Sequence, residues 1–193
     1  MNPITRRISP DAIEQIRADH THVMAAFHQY RIDDRSRVRR ALVDQICLAL
    51  EVHATLEEEI FYPAMRDAAE DRDLVDDRLV PEQEEMRELI ARLRSTDADD
   101  PSFDPTFMEL MRLVIHHVAE EETVLLPDAE RVLGREALQD VGARMTQRRV
   151  ALMAPRAGEV MGSAVRAAPA TTAMLVAGTL IGATYVARRA FAR

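Results

Sequence analysis

Two stretches decide the fold: His53-Ala54-Thr55-Leu56-Glu57-Glu58-Glu59-Ile60-Phe61-Tyr62-Pro63 and His117-Val118-Ala119-Glu120-Glu121-Glu122-Thr123-Val124-Leu125-Leu126-Pro127. Each reads H-x-x-x-E-E with a proline ten residues after its histidine, and the copies lie 64 residues apart. Self-similarity at a fixed offset marks a duplicated unit, here a helical hairpin. Residues four apart lie one turn apart on the same helix face. His53 with Glu57, and His117 with Glu121, can each aim two donor groups at one spot.

The flanking residues put both motifs on apolar faces. Leu42, Ile46, Leu50, His53, Glu57 and Ile60 share one helix face, and Leu110, Val114, His117, Glu121 and Val124 share another. Ahead of each motif runs a further stripe at spacings of three and four. The first is Ile13, Ile16, His20, Val23, Met24 and Phe27; the second is Leu79, Gln83, Met86, Ile90 and Leu93. Ser9-Pro10-Asp11 and Asp104-Pro105 read as helix starts and Gly134 as a stop. Polar connections run from Arg31 to Arg40 and from Ser95 to Pro101. No stretch sustains the period-two alternation of a half-buried strand. The expected fold is all-α: an up-down-up-down four-helix bundle over 9–133 with a C-terminal helical extension.

Composition agrees. Hydrophobic residues are 47% and charged residues 30%, enough for a packed core. Six Gly, no Trp and 4% aromatics favour helix over strand. The single cysteine, Cys47, excludes an intramolecular disulfide and any zinc-finger or iron–sulfur site built on cysteines. All 25 basic residues are Arg. Through Leu133, 16 Arg face 30 acidic residues, a net of −14; from Gly134 onward 9 face 3, a net of +6. An acidic body lacks the clustered cations that neutralise phosphates, so nucleic acid is not an expected partner. The first residues lack the apolar core of a secretory signal, so a cytoplasmic location is expected.

The basic end divides in two. Over 134–166, Arg135 to Arg149 reads as a short fifth helix beside the bundle, followed by a linker carrying Pro155, Gly158 and Gly162. Over 167–193, the 21 residues from Ala167 to Ala187 carry no charge, about the length that crosses a bilayer. Gly178 and Gly182 have the spacing that lets helices approach closely in lipid. A membrane anchor and a helix docked on protein both remain open, as does the oligomeric state.

Two buried glutamates and three buried histidines ask for a cation, because an unpartnered buried carboxylate costs several kcal/mol, to order of magnitude. A single inward histidine is more often a hydrogen-bonded core residue, and a lone H-x-x-x-E is as often a surface pair. Two such motifs on apolar faces, joined by inward His20, shift the reading to a metal. Imidazole with carboxylate suits iron, manganese or zinc; a bundle site without thiolate favours iron.

At these residues the chain resembles the hemerythrin-like, or HHE cation-binding, family. The resemblance covers about Asp11 to Leu133 and includes Asp19-His20, the E-E-E-x-x-Y-P stretch at Glu57 to Pro63, and His117 to Pro127. It implies a non-haem di-iron centre with ligands His20, His53, Glu57, His117 and Glu121, the two glutamates bridging two irons. One position departs. Leu79, Met86 and Ile90 surround Gln83 at the offsets at which Ile16, Val23 and Phe27 surround His20, so Gln83 stands where the family has its third-helix histidine. An amide oxygen is a neutral, weak ligand, so one iron per chain is the other expectation. Glu82 and Glu84 are alternative oxygens, though off the apolar face. Tyr62 and Tyr30 are candidate ligands or hydrogen-bond partners of the site. His22, His28 and His116 read as surface residues, and Cys47 as packing.

No separate nucleophile or phosphate loop is present, so the expected ligands are small: peroxide, dioxygen or nitric oxide. The resemblance implies oxidative or nitrosative stress defence or iron handling, with catalase-like turnover as the candidate reaction. The alternative is a membrane-attached structural or sensory module whose metal is structural or regulatory.

Overall fold

The computed structural model describes residues 10–68 and 79–156. Within them the chain is all-helical, with four helices packed as a bundle and no strand. Helix α1 spans Ala12–Phe27 and α2 Ser36–Leu56. A π turn at Glu57–Phe61 joins α2 to α3, Tyr62–Ala68. Helix α4 covers Val80–Ser95 and α5 Phe103–Glu120. A second π turn, Glu121–Leu125, leads into α6, Leu126–Met153, and a 3-10 turn follows at Ala154–Arg156.

The helix order follows from where the apolar residues gather. One cluster holds Phe27, Tyr30, Leu42, Ile46, Leu93, Phe103 and Phe107; the other holds Ile13, Ile16, Leu56, Phe61, Leu79, Leu125 and Leu126. Along α1 and α4 the chain passes from the second cluster to the first, and along α2 and α5 it returns. That alternation is the up-down-up-down order. On every helix the His, Gln or Glu of the sequence pattern falls between the two clusters, so the bundle carries one polar layer inside two apolar ones.

Several element ends differ from expectation. The cap of α1 is Asp11, not Ser9: its side chain accepts from the Glu14 amide at 2.9 Å, while Glu14 accepts from the Asp11 amide at 3.0 Å. This reciprocal pair satisfies two amides that the first turn leaves free. Helix α2 begins at Ser36, so Arg37 to Arg40 are helical and the first connection is shorter than Arg31–Arg40. Arg39 and Arg40 reach across to the end of α4 and the loop after it: Arg39 donates to Ala98 O at 2.8 Å in the loop, and Arg40 to Leu93 O at 2.8 Å in the last turn of the helix. Asp104 lies inside α5, where its carboxylate accepts from Tyr30 and Arg39 instead of capping the helix.

Neither matched proline stops its helix. Proline offers no N–H and its ring crowds the carbonyl four residues back. Just ahead of Pro63 and Pro127 the chain widens into a π turn, with the Tyr62 amide donating to Glu57 O and the Leu126 amide to Glu121 O. The extra residue shifts the inward line. Val124 is 48% exposed, against expectation, while Leu125 and Leu126 are buried. Its repeat mate Ile60 stays buried alongside Phe61 and Tyr62.

At Gly134 the backbone leaves helical geometry with φ 68, and α6 resumes beyond it in a new direction. The resumed part packs on α1 through Leu138, Val141 and Met145, and Gln15 Nε2 donates to Gly142 O at 2.7 Å. Among the described residues no helix is long and apolar enough to cross a membrane. The linker beyond Arg156 and the uncharged stretch 167–187 lie outside the described residues.

Candidate metal centre

The polar layer brings the sequence-derived residues together. His20, His53, Glu57 and Glu121 each offer a donor atom, and these four atoms lie within 4.8 Å of one another. His20 Nε2 is 3.0 Å from Glu121 Oε2, and His53 Nε2 is 3.2 Å from Glu57 Oε1 and 3.9 Å from Glu121 Oε2. The two imidazoles meet edge to face at 5.2 Å. His117 stands on the other side of the glutamates, with Nε2 3.6 Å from Glu121 Oε1. Gln83 completes that side, its Nε2 donating to Glu57 Oε2 at 2.7 Å and to Tyr62 Oη at 2.9 Å.

Each histidine is held from behind by a carboxylate. Nδ1 of His20 faces Glu122 at 2.7 Å, that of His53 faces Asp19 at 3.3 Å, and that of His117 faces Glu82 at 2.9 Å. A carboxylate on Nδ1 fixes the ring orientation, raises the basicity of Nε2 and turns it inward. Asp19 and Glu82 each immediately precede the central residue of their helix, His20 and Gln83. Glu122 immediately follows Glu121. The internal repeat therefore extends one residue beyond each motif, a signal the helix-face reading passed over when it set Glu82 aside as off-centre. Glu58, the repeat mate of Glu122, finds no imidazole at position 83 and pairs with Arg87 instead.

Tyr62 enters by way of the π turn. In an α-helix a residue five positions on lies about 140° round from its start. The wider turn brings Tyr62 back over Glu57, 3.4 Å from Glu57 Oε2, and it donates to Glu121 Oε1 at 3.0 Å. Tyr30 is elsewhere, bonded to Asp104 in the first apolar cluster. His22 and His28 are exposed. His116 is largely exposed as well, with its Nε2 3.5 Å from Glu82 Oε1. Cys47 is buried in the first apolar cluster.

Protonation reflects the crowding. Burial drives Glu57 well above the ordinary carboxylate value, and the negative charge of Glu121 adds to the rise. Burial acts on Glu121 in the same sense, but His117, His20 and His53 outweigh it and hold it at about 2. Burial lowers His20, yet Glu121 and Glu122 more than compensate, so its pKa is raised. Three fully buried atoms in this layer, Glu57 Oε1, Gln83 Oε1 and His117 Nε2, have no hydrogen-bond partner. Such groups are costly unless something answers them. A cation among two carboxylates and three imidazoles answers two of them directly, and the mixture of nitrogen and oxygen donors suits a first-row transition metal.

A family model for the Hemerythrin HHE cation binding domain matches residues 11–129. The chain belongs to that family. A hemerythrin HHE cation binding domain-containing protein from Mycobacterium kansasii shares the fold of this hemerythrin-family chain. Its crystal structure superposes with a TM-score of 0.65 at 18% identity, over 79% of this chain and 93% of that one. A protein from Nostoc sp. strain PCC 7120 named a DNA nickase is 25% identical over 150 residues, 78% of this chain and 42% of the nickase. The chain thus spans less than half the length of that relative.

Proposed function

We propose that this hemerythrin-family chain holds non-haem iron in the buried His/Glu layer and meets small oxidants there, peroxide foremost and dioxygen or nitric oxide as related ligands. Its place is oxidative or nitrosative stress defence or iron handling. The observation that carries the reading is the convergence of His20, His53, Glu57 and Glu121 within 4.8 Å. The carboxylates behind the histidine rings support it further. His20, His53, Glu57 and Glu121 would hold the first iron. His117, Gln83 and the shared glutamates offer a second, weaker position, since one imidazole is replaced by an amide. Bound iron would supply redox exchange with the oxidant. The chain's own residues keep the site dry, orient the imidazoles through Glu122, Asp19 and Glu82, and place the Tyr62 hydroxyl against Glu121 as a proton donor.

The test is metal analysis and a visible spectrum of protein purified without chelator, followed by oxygen evolution from peroxide. The expected result is a tightly held iron per chain plus a second lost on dialysis, with His53→Ala and Glu121→Ala each stripping the first. Unchanged iron in both variants defeats the assignment. Oxygen evolution no greater than that of free iron removes catalase-like turnover. DNA nicking, the name carried by the Nostoc relative, is not part of this reading, because a body with 30 acidic residues against 16 Arg repels a polyanion. The alternative of a membrane-attached module depends on 167–187 and has no supporting observation among the described residues.

A further inference from the structure

A second group of donor atoms stands outside the buried layer. Glu82, His116 and Glu120 each offer one, and the three atoms lie within 4.8 Å of one another. His116 and Glu120 are four apart on α5 and rise from one helix face, while Glu82 comes from the first turn of α4. His116 Nε2 is 3.5 Å from Glu82 Oε1. The pair is another H-x-x-x-E, one residue ahead of His117 and Glu121 and so about 100° round the helix from them. It faces outward: the His116 side chain is 58% exposed and that of Glu82 16%.

Packing does not require these residues here. Counted back by the repeat, His116 falls on Val52 and Glu120 on Leu56. Both of those are apolar and buried, in the cluster that also holds Leu138, Val141 and Met145 of α6. The two halves also surround their carboxylates differently. Asp19, behind His53, is gripped by the Arg149 guanidinium, a cation that the chain itself supplies. Glu82, behind His117, has an imidazole nitrogen and a second carboxylate close by. Two carboxylates around a neutral imidazole carry two negative charges, which a divalent ion balances. One nitrogen with two oxygens suits a transition ion better than Mg²⁺ or Ca²⁺, which favour oxygen alone.

We propose that Glu82, His116 and Glu120 form an outer site for a divalent transition-metal ion. Three protein ligands leave a position for water. The site is open to solvent and its carboxylates also engage other groups, so its ion exchanges readily and binds more weakly than one in the buried layer. Glu82 is shared between the two: Oε1 faces the outer site, while Oε2 holds His117 Nδ1 at 2.9 Å. An outer ion draws on the charge that makes His117 Nε2 a strong donor. Filling the outer site therefore weakens the interior position that His117 serves, and the effect is reciprocal. That consequence rests on the metal reading above; the outer site itself does not.

Calorimetric titration of the full chain with Zn²⁺ tests this, on metal-free and iron-loaded protein. Wild type should bind one Zn²⁺ per chain more than His116→Ala in both forms. Glu120→Gln should weaken that ion at least about tenfold. Both substitutions fall on the outward face of α5, so circular dichroism should show both variants folded as wild type. His53→Ala, which removes a donor of the buried layer, should keep the outer ion, and millimolar Mg²⁺ should not displace it. Equal Zn²⁺ uptake by wild type and His116→Ala, or displacement by Mg²⁺, overturns the proposal and leaves an acidic surface patch. In wild type Zn²⁺ should also lower the affinity for a second interior iron, and in His116→Ala it should not; equal effects overturn the sharing of Glu82. Because the outer ion is counted on metal-free protein as a difference between variants, failure of the iron assignment and failure of the outer site appear as separate results.

Discussion

Arg149 grips Asp19 with both terminal nitrogens, at 3.0 Å and 2.6 Å, and Asp19 holds Nδ1 of His53 at 3.3 Å. Burial opposes the charge on Asp19, but His53 and Arg149 outweigh it and keep the carboxylate at about 2. Arg149 lies beyond the family-matched residues 11–129, so the part of α6 past the matched residues steadies a candidate ligand.

Asp19→Ala should weaken iron binding about 10–100-fold, the usual cost of removing a carboxylate behind a metal-bound imidazole. Arg149→Gln, which leaves Asp19 in place, should cost less. Chelator competition measures both, with circular dichroism as the check on folding. A fall in melting temperature with iron affinity unchanged would mean that the pair only anchors α6.

Gln83→His should strengthen the second metal position. In the first half of the site, Glu122 holds Nδ1 of His20; its repeat mate Glu58 is positioned to do the same for a histidine at 83. Glu58 is now tied to Arg87, but that pair is 43% and 32% exposed. Exposed pairs contribute only about 0–1 kcal/mol, so releasing it costs little. The expected outcome is a second iron that survives dialysis, counted by metal analysis. Stoichiometry equal to wild type would show that the shared glutamates, not position 83, limit the second metal.

The four apolar stripes and the inward donors were legible because a helix buried against three others needs one face of period 3.6, and six polar residues interrupt those faces. Legibility ended where the period changed. Through the second π turn the same counting puts Val124 inward, yet Leu125 and Leu126 take that place. Tyr62, five residues from Glu57, had no helical reason to meet it. Asp104 looked like a cap because it precedes a proline; its carboxylate is instead claimed by Tyr30 and Arg39, one from before α2 and one from within it. Such pairings depend on tertiary packing and leave no local trace.

Gly142→Ala should lift α6 from α1. A Cβ at 142 would stand 2.6 Å from the Asp11 carbonyl carbon and 2.7 Å from Ala12 N and Pro10 O, all backbone atoms that cannot swing away. Overpacking of this kind costs roughly 1–3 kcal/mol. Gly134→Ala is the contrast: nothing lies within 4 Å of its Cβ, and only φ +68 is strained, for about 1–2 kcal/mol. Denaturant melts should rank both below wild type. Faster proteolysis within α6 should appear for the Gly142 variant, because that substitution also displaces the Gln15 hydrogen bond to Gly142 O.

Cys47 should be inert in the folded chain. Burial pushes its thiol from 9.0 up to about 12, despite Arg94 nearby. The thiolate is the nucleophile, so iodoacetamide at neutral pH should label the native protein negligibly and the denatured protein readily. The linkage has a definite sign. Between about pH 9 and 12 the unfolded chain has lost the thiol proton and the folded chain retains it, so stability falls as pH rises through that window. Three units at ~1.4 kcal/mol each set an upper bound of about 4 kcal/mol. Denaturant melts of wild type and Cys47→Ala, compared from pH 8.5 to 11, should show the steeper decline in wild type. Parallel declines would mean that the thiol titrates in the folded state as it does in the unfolded one.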